Sequence, residues 1–233
     1  MFNKFGTDTS HVRIDWVIKQ LKDLPEGLRI LDAGAGERRF KPFCDHLRYV
    51  SQDFGEYMGG DQSSGLHPAD WDNEGLDIVS DISQIPVDDE SFDCILCTEV
   101  LEHVPDAVAV IREFSRILKP GGILITTAPF CSLTHFAPYH FSGYNHYWWS
   151  YHLPNNGFDI ELMEANGNWF KFVAQELTRV RTVGNIYGTK LLGLLTRVAA
   201  VPFILLLAIM EKKSVGSEEM LCFGYMIRSR KRV

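Results

Sequence analysis

Asp32, Gly34 and Gly36 close the apolar run Leu28-Arg29-Ile30-Leu31, and Asp53 follows Asp32 by 21 residues. Glycines at such a point let backbone approach a ligand closely, and the N-terminus of a following helix favours a negative group. A carboxylate about twenty positions further on is placed to accept from a ribose diol. Carboxylates suit hydroxyls and exocyclic amines because they only accept. The glycine loop alone is a weak signal, and the dinucleotide fingerprint wants a third glycine where this chain has Arg39. A second chemical group lies downstream. Cys131 to Phe158 runs 28 residues without Asp, Glu, Lys or Arg, yet holds His135, His140, His146 and His152 among many aromatic rings. Histidine can take a proton from a hydroxyl near neutral pH, so His135 and His140 are the candidate bases of an acceptor pocket. A packed aromatic segment with satisfied histidines fits the same composition. The histidine spacings of 5, 6 and 6 match no common zinc pattern, so no metal is expected.

These residues need a frame. Apolar runs at 28–31, 49–52, 78–80, 92–97 and 122–127 read as strands. Ile14, Val17, Ile18 and Leu21 fall at helical spacing behind the cap candidates Asp8, Thr9 and Ser10. Val108, Ile111, Phe114 and Leu118 do the same further on. Strands alternating with helices predict an α/β fold with a mostly parallel sheet. Ligands bind such sheets outside the carboxyl ends of the strands. Asp32, Asp53, Asp81 and Glu99 all fall there, which favours one shared ligand site over four unrelated turn residues.

With 233 residues, 45% apolar and 23% charged, the chain is of globular composition, which excludes a disordered or fibrous protein. A net charge of −7 gives no support to nucleic-acid binding. Five scattered cysteines form no disulfide framework, and residues 1–8 hold no apolar signal core. A reduced, cytoplasmic setting is expected. Cys94 and Cys97 have redox-motif spacing but lie inside a strand-like run, so a structural role is expected.

The ordered blocks identify a family. Ile30-Leu31-Asp32-Ala33-Gly34-Ala35-Gly36, then Asp77-Ile78-Val79-Ser80-Asp81-Ile82 and Asp89-Glu90-Ser91-Phe92-Asp93, are followed by Cys97-Thr98-Glu99-Val100-Leu101-Glu102-His103-Val104 and Leu118-Lys119-Pro120-Gly121-Gly122. Over roughly 28–130 the chain resembles class I S-adenosylmethionine-dependent methyltransferases of the type 11 group. The resemblance implies a Rossmann-like, seven-stranded, mostly parallel sheet with helices on both faces. It implies S-adenosylmethionine as cofactor. Asp32, Gly34 and Gly36 would hold its methionine part, and Asp53 its ribose. Asp81 and the Ile82 amide would hold its adenine, while Cys97 and Thr98 would line the sulfonium. Glu102-His103 would belong to the turn into the next helix as positioning residues. The family often has a third glycine where this chain has Arg38. Arg38 or Arg39 reads as an exposed helix residue or as a partner of the cofactor carboxylate.

The last third departs from the family. Segments 158–162 and 220–227 read as the final strands, with a helical insert at 167–218 in an otherwise single domain. Leu191 to Met210 has a membrane span's length, but Arg197 and Pro202 interrupt it. A lid, core or dimer helix fits it, as does contact with the inner face of a membrane. The basic end, Arg228 to Arg232, could assist at anionic lipid or be a solvated strand end. The acceptor is expected to be a small molecule, with a sugar or lipid-linked glycan hydroxyl as one class. A non-catalytic cofactor-binding relative stays open, as does a nicotinamide-dependent oxidoreductase, which the absent third glycine disfavours.

Overall fold

Strands covered on both faces by helices are built from near-continuous apolar runs, and the central runs of this chain are of that kind. The computed structural model describes residues 5–6, 9–57 and 74–233. Seven strands form one sheet: β1 (Arg29–Ala33), β2 (Arg48–Asp53), β3 (Ile78–Val79), β4 (Phe92–Thr98), β5 (Leu118–Pro129), β6 (Phe158–Asn166) and β7 (Gly224–Lys231). Their order is β3-β2-β1-β4-β5-β7-β6. β1 pairs in parallel with β2 and β4, β2 with β3, and β4 with β5, while β7 runs antiparallel to β5. The helices are α1 (Thr9–Lys22), α2 (Ala107–Ile117), α3 (His146–Asn155), α4 (Trp169–Tyr187), α5 (Lys190–Ala199), α6 (Val201–Glu211) and α7 (Ser217–Met220). This is the Rossmann-like α/β fold expected.

The chain divides into two compact units where the sequence reading had one domain with an insert. One holds Arg13–Glu164 and Gly224–Val233, hence the sheet. The other holds Ala165–Phe223 and the described residues of Met1–Val12. The cap candidate Asp8 lies outside the described residues.

In the sheet unit, one side of the core joins Val17 and Leu21 of α1 to Ile30, Cys94, Leu96, Ile125 and Met226. α2 starts where Asp106 accepts from the Ala109 amide at 3.0 Å. Its Val110, Ile111, Phe114 and Ile117 are buried at helical spacing. Cys94 and Cys97 are buried in β4, three residues apart. Such strand positions face opposite sides of a sheet, so the two thiols cannot pair.

The last strand corrects the sequence reading. Met220 belongs to α7, whose first turn holds Glu218 and Glu219, and β7 begins only at Gly224. Acidic side chains suit a helix N-terminus, and the apolar pattern of 220–227 masked that. The basic end is spent inside the sheet. Arg228 meets Glu161 at 3.1 Å and Arg232 meets Asp159 at 2.7 Å, both carboxylates on β6.

Phe114 is fully buried, so truncating it removes a large apolar surface and leaves a cavity. Phe114→Ala is expected to destabilise the chain by about 3–5 kcal/mol. Urea denaturation reads this as a lower midpoint at unchanged slope.

Candidate active site

β1 runs out into a loop that only glycine can begin. Gly34 has φ +75°, and a Cβ there would lie 2.3 Å from Val100 Cγ2. Two amides of the loop, Gly34 and Ala35, donate to the Gln52 carbonyl at 2.8 and 2.9 Å. The buried Gln52 side chain donates to the Ser80 carbonyl at 2.7 Å, so one residue ties the ends of β1, β2 and β3. The sequence reading missed Gln52. An amide inside an apolar strand was its signal. Arg38 has φ +55°, a left-handed conformation that a glycine would adopt without strain. A non-glycine residue carries about 1–2 kcal/mol of strain there.

Asp53 ends β2. One of its carboxylate oxygens accepts from the Gly36 amide at 3.0 Å and the other from the Gly55 amide at 3.1 Å. Each oxygen keeps acceptor capacity for a hydroxyl. Asp32 is 2% exposed and accepts from the Tyr49 hydroxyl at 2.6 Å. Burial pushes its pKa up to about 7, the Tyr49 bond opposes this, and the Asp53 charge adds to it. Tyr49 was also missed, because its position in a strand said nothing of which carboxyl it would meet. Among the described residues neither carboxyl has a Lys or Arg ion-pair partner. Two buried acceptors without a cation suit a ligand that brings positive charge and a diol. S-adenosylmethionine carries both, so the residues present fit the cofactor that the resemblance implies.

The adenine side is less enclosed. Asp81 is exposed and accepts from the Ser83 amide and hydroxyl, both at 2.7 Å, while Ile82 is buried. Arg116 braces the next turn, donating to the carbonyls of Ile85 at 3.0 Å and Val87 at 2.9 Å. Cys97 is fully buried, and burial holds its thiol pKa well above the usual value. Its side chain is buried in the core within electrostatic reach of Glu102 and Asp32, and Thr98 follows it at the strand end. Glu99 follows at φ +54°, held by Arg13 at 2.7 Å and by the Thr127 hydroxyl at 3.0 Å.

A short 3-10 turn, Leu101–His103, comes next. Glu102 is fully buried, and neither carboxyl oxygen has a hydrogen-bond partner among the described residues. Burial raises its pKa to about 7. Two imidazoles face it: Nε2 of His103 lies 3.6 Å and Nε2 of His135 lies 3.8 Å from Glu102 Oε1. These are ion-pair distances, too long for hydrogen bonds. His103 Nδ1 donates to the Tyr139 carbonyl, and His135 Nδ1 donates to the Leu133 carbonyl at 2.8 Å. A carbonyl only accepts, so both rings carry their proton on Nδ1 and turn a basic Nε2 toward Glu102. Burial lowers the His103 pKa to about 4. Burial also depresses His135, but the Glu102 carboxylate and the Leu133 carbonyl outweigh it, and its pKa is raised. His140 differs. Its Nδ1 accepts from the His135 amide at 3.2 Å, which places its own proton on Nε2. Ring centroids of His135 and His140 are 4.4 Å apart.

The uncharged segment thus has two fates. His135, Phe136, Tyr139 and His140 gather around His103. Tyr144, Trp149 and Leu153 enter the core, and the Tyr144 hydroxyl donates to the Leu101 carbonyl at 2.8 Å. His146 and His152 lie against Tyr147 and Trp148 instead. A metal set differs from the one weighed by spacing: ligand atoms of Glu102, His103 and His135 lie within 4.8 Å of one another. An ion bound at about 2.1 Å keeps its ligand atoms within about 4.2 Å, so this set must tighten to hold one.

Comparison with known proteins agrees with the fold. A family model described as a methyltransferase domain matches residues 31–126. A ubiquinone biosynthesis O-methyltransferase of Xanthomonas oryzae pv. oryzae is 35% identical over 116 residues, 48% of this chain and 47% of that protein. One from Alkalilimnicola ehrlichii is 31% identical over 125 residues, 51% of this chain and 48% of that protein. The chain therefore spans about half the length of the curated relatives it matches. Among solved structures, an S-adenosylmethionine-dependent methyltransferase from Mesorhizobium loti superposes with TM-score 0.51 at 17% identity, covering 92% of this chain and 96% of that one. The [4+2]-cyclase SpnF superposes with TM-score 0.55 at 19% identity, covering 95% of this chain and 80% of that one. The fold is shared across different reactions, so the site must decide the chemistry.

Asp32 supplies a pH test. Its ordinary value is 3.8 and its folded value about 7, so the folded state holds a proton that the unfolded state releases. Stability from this group is full below about pH 4 and is lost as pH rises through 7. Each tenfold change in proton affinity is about 1.4 kcal/mol, so the effect is on the order of a few kcal/mol. Thermal melts of the cofactor-free Asp32→Asn variant are expected to fall less between pH 4 and 8 than those of the natural chain. Its S-adenosylmethionine affinity is expected to drop at least tenfold by calorimetry.

Proposed function

Since residues 31–126 form a class I methyltransferase domain of the type 11 family, we propose that the chain methylates a hydroxyl of a small molecule, with S-adenosylmethionine as cofactor. The observation that carries the hydroxyl is His135 with its basic Nε2 turned to buried Glu102. Methylating a hydroxyl requires a proton to leave, and this pair is built to take one. The O-methyl chemistry in the names of the curated relatives supports the same acceptor group. Of the expected sugar or lipid-linked glycan hydroxyl, only the hydroxyl is kept here, since nothing in the site or in the relatives supports a sugar or glycan.

When bound, S-adenosylmethionine supplies an electrophilic methyl group on a sulfonium. Asp32, the Gly34–Gly36 loop, Asp53, and Asp81 with Ile82 would hold it. His135 Nε2 takes the acceptor proton while its Nδ1–H stays on the Leu133 carbonyl. The Glu102 carboxylate steadies the imidazolium that forms. His140 is a weaker candidate, because its basic nitrogen is occupied by the His135 amide. His103 stays neutral and holds the Tyr139 backbone beside the cluster. Fixing acceptor and donor in one geometry can supply about 7–11 kcal/mol of the barrier.

Two measurements test this. S-adenosylhomocysteine at about 100 times its dissociation constant should stabilise the chain by about 2.7 kcal/mol in thermal melts, and NAD should not. Absence of any shift at millimolar S-adenosylhomocysteine overturns the cofactor assignment. For the base, a panel of phenols and sugars is screened for methylated product. On the accepted compound His135→Ala should lose about 10²–10⁴ in kcat. Glu102→Gln removes the anion that raises the His135 pKa, so the acidic limb of the kcat profile should move to lower pH. Full turnover by His135→Ala removes it as the base.

A further inference from the structure

A surface helix turns polar side chains to water, yet the outer face of α6 is apolar throughout. Ile204 is buried against Ala174 of α4 and Ala200, and Ala208 of the same helix is also buried. The opposite arc, made by Pro202, Phe203, Leu206, Ile209 and Met210, is exposed and has no charged residue. Phe203 is 62% exposed and Leu206 57%. α5 continues the face. Only Gly193 of α5 is buried. A Cβ on Gly184 of α4 would lie 2.9 Å from the Gly193 Cα, so α5 rests on α4 backbone to backbone. Close crossing at small residues is how helices pack where apolar side chains are left to face lipid. Leu191, Leu195 and Val198 remain exposed at 63%, 54% and 61%. So continuous an apolar face is unusual on a surface that meets only water.

Charge points to the same partner. From residue 177 to 210 there is no Asp or Glu. Residues 165–223 hold seven basic and four acidic side chains, net +3, within a chain of net −7. Lys190, Lys212 and Lys213 are exposed at the ends of the apolar helices, and Arg181 is exposed on α4. None of these four is in an ion pair among the described residues. The basic strand end at Arg228 and Arg232 is already paired with Glu161 and Asp159, whereas these cations of the insert are not. Spanning does not fit. α5 and α6 have 10 and 11 residues and meet at a 42° bend. Each is about 15 Å long, half of the roughly 30 Å hydrocarbon core. No single helix of the described residues is long and apolar enough to cross a membrane.

We infer that α5 and α6 lie in the interface of an anionic lipid bilayer, apolar face down, with the flanking cations at the headgroup phosphates. Apolar burial and attraction to anionic headgroups add in such binding.

The test is flotation of the full chain with phosphatidylglycerol–phosphatidylcholine vesicles, beside pure phosphatidylcholine vesicles and half-molar salt. The natural chain is expected to float with the anionic vesicles and at least tenfold less with the neutral ones or in high salt. Leu195→Glu with Leu206→Glu, both at exposed positions, should abolish flotation while thermal melts and the S-adenosylhomocysteine shift stay unchanged. That unchanged shift keeps the lipid assignment separate from the cofactor assignment. Failure of the natural chain to float overturns the inference, as does undiminished flotation of the double variant. A dimer by light scattering that ignores vesicles and that the double variant splits assigns the face to a second copy and also overturns it.

Discussion

Glu102 is a carboxyl in a dry place. It has no exposure and, among the described residues, no hydrogen-bond partner, and the Nε2 edges of two imidazoles face it. Leaving a buried charge unpaired costs several kcal/mol, so the surroundings must either neutralise it or share a proton with it. Both histidines are turned for that purpose by carbonyls behind them, Tyr139 for one and Leu133 for the other. Those carbonyls belong to the loop after β5. The loop is in turn fastened to the 3-10 turn, since the Phe141 amide donates to the Glu102 carbonyl at 2.8 Å. The ring order, the tautomers and the path of the loop all follow from accommodating one buried carboxyl.

Asp32 presents the same constraint at the neighbouring strand. It too is buried, it too is raised to about 7, and a single Tyr49 hydroxyl is its direct partner. The sheet thus ends in carboxyls whose charge it does not compensate with Lys or Arg among the described residues, apart from Glu99 with Arg13. A cationic, hydroxyl-rich ligand supplies what is missing. Of the four left-handed non-glycine residues described, three, Arg38, Glu99 and Phe136, lie around this end, and Glu90 precedes β4. Strained conformations persist where the surroundings over-determine them, which is the usual condition of a functional site. The second unit differs in what it leaves uncovered. Its helices bury little and show apolar side chains outward, with cations at their ends. A core helix hides such a face.

How much of this was legible beforehand differs from element to element. The sheet was legible because buried strands are short apolar runs punctuated by turn residues, and β1, β4, β5 and α2 lie within a few residues of where periodicity puts them. β7 was legible only in part, because the apolar stretch 220–227 starts on Met220, the last residue of a helical turn with Glu218 and Glu219, and the strand itself begins at Gly224. Of the site, the glycine loop and the acidic strand ends were legible from spacing alone. Gln52 and Tyr49 were not. Their roles depend on which strands lie side by side, and parallel neighbours are distant in sequence.

The sequence by itself determined the order of strands and helices, the positions of Asp32, Asp53, Asp81 and Glu99 at strand ends, and the two uncharged segments. Local propensity and hydrophobic period suffice for that. Only the tertiary structure decided that Glu102 meets His135, 33 residues on, that His140 has its basic nitrogen occupied, and that Cys97 faces the core. It also decided that the apolar stretch 191–210 bends into two helices with an open face. Each of these depends on how side chains from separate elements share space. Such packing is settled by the whole chain at once, because burial, tautomer and exposure are properties of surroundings that no single segment contains.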